Sequence, residues 1–253
     1  MNYNEESYPG GACACPEELR QYFDDGTIDG YERLLSEGKE AVVHLVSKSA
    51  ARGGTCYAAK VYKKRTERGF KNRADYMVTQ NVFQRRTLLA MSKKTRFGRA
   101  VEEAAWQNRE TVYLRELQAA GADVPGIVKE GEGSFIMEYL CDGRERALKL
   151  IEAKAEIADP RGVFERLVWN VELFLRCNIV HGDLSPYNVL YYRGGPVVID
   201  FPQASDPRRN PNAPALLLRD LRNICAFFSR LGVASSPEAL YDGMWERYRE
   251  NNL

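Results

Sequence analysis

The chain has 253 residues, 44% of them hydrophobic and 28% charged, with a formal net charge of +1. That is the composition of a soluble protein long enough to bury a sizeable core, as one two-lobed domain or two small ones. No apolar run approaches membrane-spanning length, and Met1 to Gly10 lacks the basic start and apolar middle of a secretory signal, so a cytoplasmic protein with no membrane partner is expected.

Cys56, Cys141, Cys177 and Cys225 sit among apolar residues and read as reduced core thiols. Cys13 and Cys15 form the one close pair. With no C-x-x-C and only His44 and His181 as imidazoles, the sequence argues against a zinc site. Charge is uneven. Between Lys63 and Arg99 the cations, among them Arg85, Arg86, Lys93 and Lys94, face only Glu67 and Asp75. Such a block either attracts nucleic acid or another polyanion, or is a solvated connection. Phe70, Tyr76, Phe83 and Phe97 within it argue that part of it packs.

In chain order, residues 1 to about 20 read as an extended leader, with a short helix starting at Pro16 and presenting Leu19, Tyr22 and Phe23. Strands follow at Tyr31 to Leu35, Ala41 to Ser47 and Thr55 to Tyr62, an antiparallel meander. The turn from Ser36 to Lys39 suits a nucleotide-covering loop: Gly38 lets backbone N–H groups approach a phosphate, and Ser36 adds a hydroxyl. One glycine is weak evidence, and taken alone an ordinary hairpin turn is the favoured reading. Lys60 lies inside an apolar strand, where a cation is costly unless it is paired or bound to an anion. The alternative is an edge-strand lysine reaching to water.

Arg99 to Ala120 reads as a helix stopped by Gly121, with Glu102, Glu103, Glu110 and Glu116 available by type to fix a lysine. Ile127 to Lys129 and Ser134 to Leu140 complete a five-stranded sheet. The end of that last strand resembles a kinase hinge, where an adenine would bond the backbone of Glu138 and Leu140 with Met137 behind it. Helices are expected over Arg144 to Ala158, Val163 to Cys177, Ala213 to Leu231, and from Ser235 to the end.

The most informative stretch is Ile179 to Asp200. His181, Asp183 and Asn188 follow the order H-x-D-x-x-x-x-N, and Asp200 ends an apolar strand twelve residues later. That is the spacing of a kinase catalytic loop and its metal-binding aspartate. A phosphoryl acceptor needs a carboxylate to orient its hydroxyl, and Mg-ATP needs hard oxygen ligands. Asp183 offers the first, Asn188 and Asp200 the second.

Together, Ser-Glu-Gly-Lys-Glu-Ala, Ala-Ala-Lys-Val-Tyr, Phe-Lys-Asn-Arg-Ala-Asp-Tyr, Trp106-Gln-Asn-Arg-Glu110, Phe-Ile-Met-Glu-Tyr, His-Gly-Asp-Leu-Ser-Pro-Tyr-Asn-Val-Leu, Val-Ile-Asp-Phe-Pro-Gln and Leu-Arg-Asp-Leu-Arg-Asn-Ile resemble a RIO-family atypical protein kinase. The likeness runs from about Tyr31 to Phe228. It implies an α+β, two-lobed kinase-like fold with a leader at 1–27, an N-lobe at 28–140 built on a five-stranded antiparallel sheet and one helix, and a mainly helical C-lobe at 141–253. It also implies roles. Ser36, Gly38 and Lys39 cover phosphates, Lys60 holds them, Glu110 pairs with Lys60, Asp183 is catalytic, and Asn188 and Asp200 bind Mg2+. The basic segment 68–99 would be the family's flexible loop.

The lack of a winged-helix domain is similar to one branch of the family, while Ile-Asp-Phe-Pro-Gln looks more like another. Proline after Asp200-Phe removes a glycine hinge, and Ser205 is the one hydroxyl in the loop beyond, which argues against activation by phosphorylation there. The implied activity is ATP- and Mg2+-dependent serine phosphorylation, of itself or another protein, or an ATPase switch. Two alternatives stand beside it. One is a small-molecule kinase, since His-Gly-Asp-Leu-Ser-Pro-Tyr-Asn also resembles aminoglycoside phosphotransferases. The other is a nucleotide-gated ribonucleoprotein assembly factor, with a ribosomal or RNA partner on the basic segment.

Overall fold

A computed structural model describes residues 15–48, 54–63, 109–142 and 145–250. The basic segment from 64 to 108, with Glu102 and Glu103, and Cys13 lie outside the described residues. The chain divides into two compact units: described residues up to 63 together with 127–139, and 109–126 together with 140–250.

The first unit is a five-stranded antiparallel sheet of β1 (Gly30–Glu37), β2 (Ala41–Lys48), β3 (Thr55–Tyr62), β4 (Ile127–Gly131) and β5 (Ser134–Glu138), in the order β1-β2-β3-β5-β4. The β-branched and aromatic residues of β2, β3 and β5 favour strands because they pack on a pleated surface. β3 occupies the middle, paired with β2 through Val43↔Lys60 and with β5 through Lys60↔Phe135. Lys60 is therefore a central-strand residue, 5% exposed, and the edge-strand alternative is overturned. Ser36 belongs to β1, opposite Val43, so the expected turn begins two residues later, at Gly38, whose N–H donates to the Ala41 carbonyl (2.9 Å).

The segment expected as an extended leader to about residue 20 packs from residue 15 onward. A 3-10 turn, Glu17–Leu19, runs into α1 (Arg20–Asp24). Leu19 and Tyr22 are buried with Ile28, Tyr31, Val46, Ala59, Val61 and Ile136 in one apolar cluster. The Tyr22 and Ser134 hydroxyls lie 3.1 Å apart, and Gln21 Oε1 accepts from the Glu132 N–H. Burial of two large side chains outweighs the weak intrinsic helicity of so short a segment.

The second unit is mainly helical. Residues 109–119 form α2, closed by Gly121 at φ +86 with the Ala122 N–H donating to the Leu117 carbonyl. α3 (Pro160–Arg176) starts at Asp159, whose side chain accepts from the Gly162 N–H, with proline in the first turn. α4 (Ala213–Ser229) and α5 (Pro237–Arg249) follow, the latter capped by Ser236. Phe174 and Phe201 meet edge-on at 5.5 Å, and Phe164 and Phe228 meet at a tilt at 5.3 Å, so the core is aromatic as well as aliphatic.

Among the described residues, 145–158 do not form the helix expected over 144–158. β6 (Cys141–Asp142) precedes them, and they form β7 (Glu145–Arg146), β8 (Leu148–Lys149) and a 3-10 turn, Ala153–Ala155. β8 pairs with β9 (Val189–Tyr192), which pairs with β10 (Gly195–Val198). Glu152 explains the preference. It takes the Arg146 guanidinium bidentately and the Lys149 N–H, which fixes a turn where the helix would continue, and these contacts pull its pKa down to about 2.

Leu19→Ala should destabilise the first unit by about 2–5 kcal/mol, as large-to-small changes in packed cores do. Urea denaturation measures it, and a shift under about 0.5 kcal/mol would return residues 15–24 to the status of a loose leader.

Candidate functional site

α3 ends at Arg176, and Asn178, at φ +56, turns the chain inward so that Ile179 and Val180 are buried. His181, Gly182, Asp183 and Leu184 follow. The Asp183 N–H donates to His181 Nδ1 (3.3 Å), which makes Nε2 the protonated nitrogen, and Nε2 then donates to the Ile199 carbonyl at 3.2 Å. Gly182 has φ +77, and a Cβ there would sit 2.8 Å from the Gln203 carbonyl oxygen. Only glycine fits both requirements.

The loop is held from below by α4. Asp220, 1% exposed, accepts from the Gly182 N–H (2.8 Å, Oδ2) and the Leu184 N–H (3.0 Å, Oδ1). Arg219 donates to the Gly182 carbonyl and Asn223 to the Leu184 carbonyl (3.0 Å). Both peptide groups flanking Asp183 are thus fixed by three residues within one turn and a half of helix. None of these three has a role among the sequence-based expectations. The available signal was Asp220 itself, a carboxylate on the stripe of Leu217, Leu221 and Ile224, where a charge is costly unless it has partners. Burial drives its pKa up to about 7, against the two backbone N–H groups and Arg219, which favour the ionised form.

Asp183 is exposed. Desolvation of its carboxyl raises its pKa, opposed by Arg219, while the charge of Asp200 adds to the rise and the Asn188 amide opposes it. Asn188 Nδ2 donates to the Asp183 carbonyl (2.9 Å) and to Oδ2 (3.3 Å), leaving Oδ1 as its oxygen for a ligand. Asp200 has φ +70, a strained conformation for a residue with a Cβ, and such strain concentrates at functional sites. Around it the Ile199 N–H donates to the Asn188 carbonyl (3.0 Å) and the Phe201 N–H to Glu110 Oε1 (3.1 Å).

Asp183, Asn188 and Asp200 therefore lie near one another. Glu110 joins them through Phe201. It is 2% exposed while Glu116 is exposed, which separates the two described helix glutamates. Lys60, Met137 and Glu138 belong to the first unit, as do Ser36, Gly38 and Lys39, all three exposed. Leu140 belongs to the second, its carbonyl taken by the Ala147 N–H (2.9 Å). Ser205 is buried, accepts from Asn210 Nδ2 (3.0 Å) and exchanges backbone bonds with Val180.

The oxygens of Asn188 and Asp200 fit a small hard cation. Among the described residues no three or more His, Cys, Asp or Glu side chains gather into a complete cage. Mg2+ does not need one, since it is held by one or two carboxylates and completes its shell with phosphate oxygens and water.

Two outcomes test the role of Asp220. Asp220→Ala strands two buried N–H groups, at about 1–3 kcal/mol each, and should lower stability and any turnover together. With the folded pKa raised from the ordinary 3.8 to about 7, the folded state holds the proton more tightly. Stability from this group is then full below 3.8 and lost as pH rises toward about 7. Asp220→Asn should flatten that part of a urea-midpoint against pH curve, and an unchanged slope would contradict the assignment.

The RIO domain family matches residues 42–240. The chain is 32% identical over 220 residues to the RIO-type serine/threonine-protein kinase Rio1 of Haloferax volcanii, covering 86% of this chain and 70% of that one. It is 30% identical to the serine/threonine-protein kinase RIO3 of Caenorhabditis elegans, over 87% of this chain but 40% of the relative. With rio1 of Schizosaccharomyces pombe the identity is 28%, and the chain spans 43% of that protein's length. Among solved structures, the Rio2 kinase of Chaetomium thermophilum in an ADP/Mg2+-phosphoaspartate complex has the same fold, with a TM-score of 0.62 at 19% identity, over 90% of this chain and 64% of that one. No helix among the described residues is long and apolar enough to cross a membrane. The loop held on α4, the α+β kinase-like fold and the extent of the match lead to one conclusion: this chain belongs to the RIO family of atypical serine/threonine-protein kinases.

Proposed function

We propose that the chain transfers the γ-phosphoryl group of Mg-ATP to a serine hydroxyl, its own or that of another protein. The observation that carries this is the juxtaposition of Asp183 and Asn188, on a loop fixed by Asp220, with Asp200 just beyond β10. In this reading Asp183 accepts a hydrogen bond from the acceptor hydroxyl and orients it. Asn188 Oδ1 and the Asp200 carboxylate would hold Mg2+, which would neutralise phosphate charge. Lys60 binds phosphate oxygens, Ser36, Gly38 and Lys39 cover them, and the backbone of Glu138 and Leu140 takes the adenine against Met137. Catalysis is then positioning and charge neutralisation rather than covalent chemistry by the protein.

A second reading has one observation in its favour. The Chaetomium structure is of an ADP/Mg2+-phosphoaspartate complex, so an ATPase switch that passes through an aspartyl phosphate suits this chain too. A small-molecule acceptor is not favoured, because the matched relatives are named protein kinases. An RNA or ribosomal partner rests on the basic segment, which lies outside the described residues.

One experiment separates these readings. The protein is incubated with γ-labelled Mg-ATP, and label is followed into protein and free phosphate. Hydroxylamine-resistant label on protein is expected for a serine kinase, and hydroxylamine-labile label for the aspartyl route. Asp200→Ala should reduce either by at least about a hundredfold, and wild-type-like transfer by that variant would refute the metal role.

A further inference from the structure

A second polar cluster of the helical unit lies away from the catalytic loop. After α2 ends, Asp123 meets α3. Its N–H donates to Asn170 Oδ1 (2.8 Å), and Asn170 Nδ2 donates back to Asp123 Oδ2 (2.8 Å) and to the Arg166 carbonyl (3.0 Å). Arg166 closes the carboxylate bidentately, Nε to Oδ2 at 2.6 Å and Nη2 to Oδ1 at 2.9 Å, with its guanidinium 3.9 Å over the Trp169 ring. Asn170 is 0% exposed. A buried amide that spends its oxygen and both directions of its NH2 group in one cluster makes a rigid connection, because any displacement leaves buried polar groups unpaired.

The connection reaches the site through one bond. The Asp123 carbonyl accepts the Val198 N–H (2.8 Å), two residues before Asp200. Along 198–201 three N–H groups are held by three different segments, Val198 by the Asp123 carbonyl, Ile199 by the Asn188 carbonyl and Phe201 by the Glu110 carboxylate, while the Ile199 carbonyl takes His181 Nε2 and Val198 pairs with Val189. Asp200 at φ +70 sits among them. A non-glycine residue relaxes out of that conformation unless its neighbours hold it.

We infer that Asp123 and Asn170 are positioning residues for Asp200, setting where its carboxylate meets a divalent cation; this rests on the reading of Asp200 as a cation ligand. Groups that orient a ligand without touching the metal typically change metal affinity by about 10- to 100-fold when removed. Arg166 matters less here, because its pair with Asp123 is half exposed and the amide-carboxylate ring closes without it.

The test uses the full chain and Mn2+ as the probe, titrated by electron paramagnetic resonance in the presence of ADP, with ADP affinity measured separately in EDTA. Asn170→Ala, which removes both bonds of the ring, should weaken Mn2+ binding about tenfold or more and leave metal-free ADP affinity within about twofold. Asp123→Ala should do the same, while Asp123→Asn, which keeps an oxygen for the Asn170 amide, and Arg166→Ala should stay close to wild type. A merely structural role would lower the melting temperature without this split between metal and nucleotide. Mn2+ affinity within about twofold of wild type in folded Asn170→Ala overturns the inference. If that variant does not fold, Asp123→Ala decides the matter by the same criterion. Asp200→Asn separates the two levels. If it leaves Mn2+ binding intact, the metal reading itself fails; if it abolishes binding while Asn170→Ala does not weaken it, only the positioning role fails.

Discussion

The site depends on one buried carboxylate. Asp220 takes the two N–H groups on either side of Asp183, and no water is needed to explain how those buried groups are satisfied. Because α4 is a regular helix packed through Leu217, Leu221, Ile224 and Phe228, the carboxylate inherits the helix's rigidity and passes it to the loop. Gly182 is the other half of the device. Its positive φ and the nearby Gln203 carbonyl mean that the loop's path was chosen for geometry and a side chain was given up to obtain it.

The same logic recurs around Asp200. A strained residue persists because the residues beside it are anchored to α2, the 181–188 loop and the loop after α2. The aromatic contact of Phe201 with His181 (4.6 Å) and Phe174 (5.5 Å) adds packing to the hydrogen bonds. The geometry of the candidate site is held by backbone groups, with side chains from distant positions acting as acceptors. A preorganised site of this kind suits a reaction in which positioning and charge do most of the chemistry.

Much of this is legible in the sequence, for identifiable reasons. The five-stranded sheet follows from β-branched runs separated by turns, and the grouping of Asp183, Asn188 and Asp200 follows from short spacings across one hairpin. Three things are not legible. Residues 144–158 have helix-forming composition, yet Glu152 and pairing with β9 override it, which no local pattern announces. Leu19 and Tyr22 look like the face of a marginal helix, because their burial depends on Ser134 and Ile136, far along the chain. Asn170 looks like an ordinary helix polar residue and Asp220 stands out only as a carboxylate on an apolar stripe, because the backbone groups they accept from, at Asp123 and Gly182, lie 47 and 38 residues away. Long-range bonds between a side chain and the backbone leave almost no trace in one sequence.

The central position of β3 has a consequence for how the chain is made. One side of β3 pairs with β2 next to it in sequence, but the other pairs Tyr57 with Glu138, some eighty residues later. As the polypeptide emerges from the ribosome, β1, β2 and β3 are synthesised well before β5, so the far edge of β3, which includes Lys60, has no strand to pair with until β5 follows. An unpaired strand edge is a template for pairing with other chains. The strand that carries the buried lysine is thereby also a strand open to misassembly during synthesis.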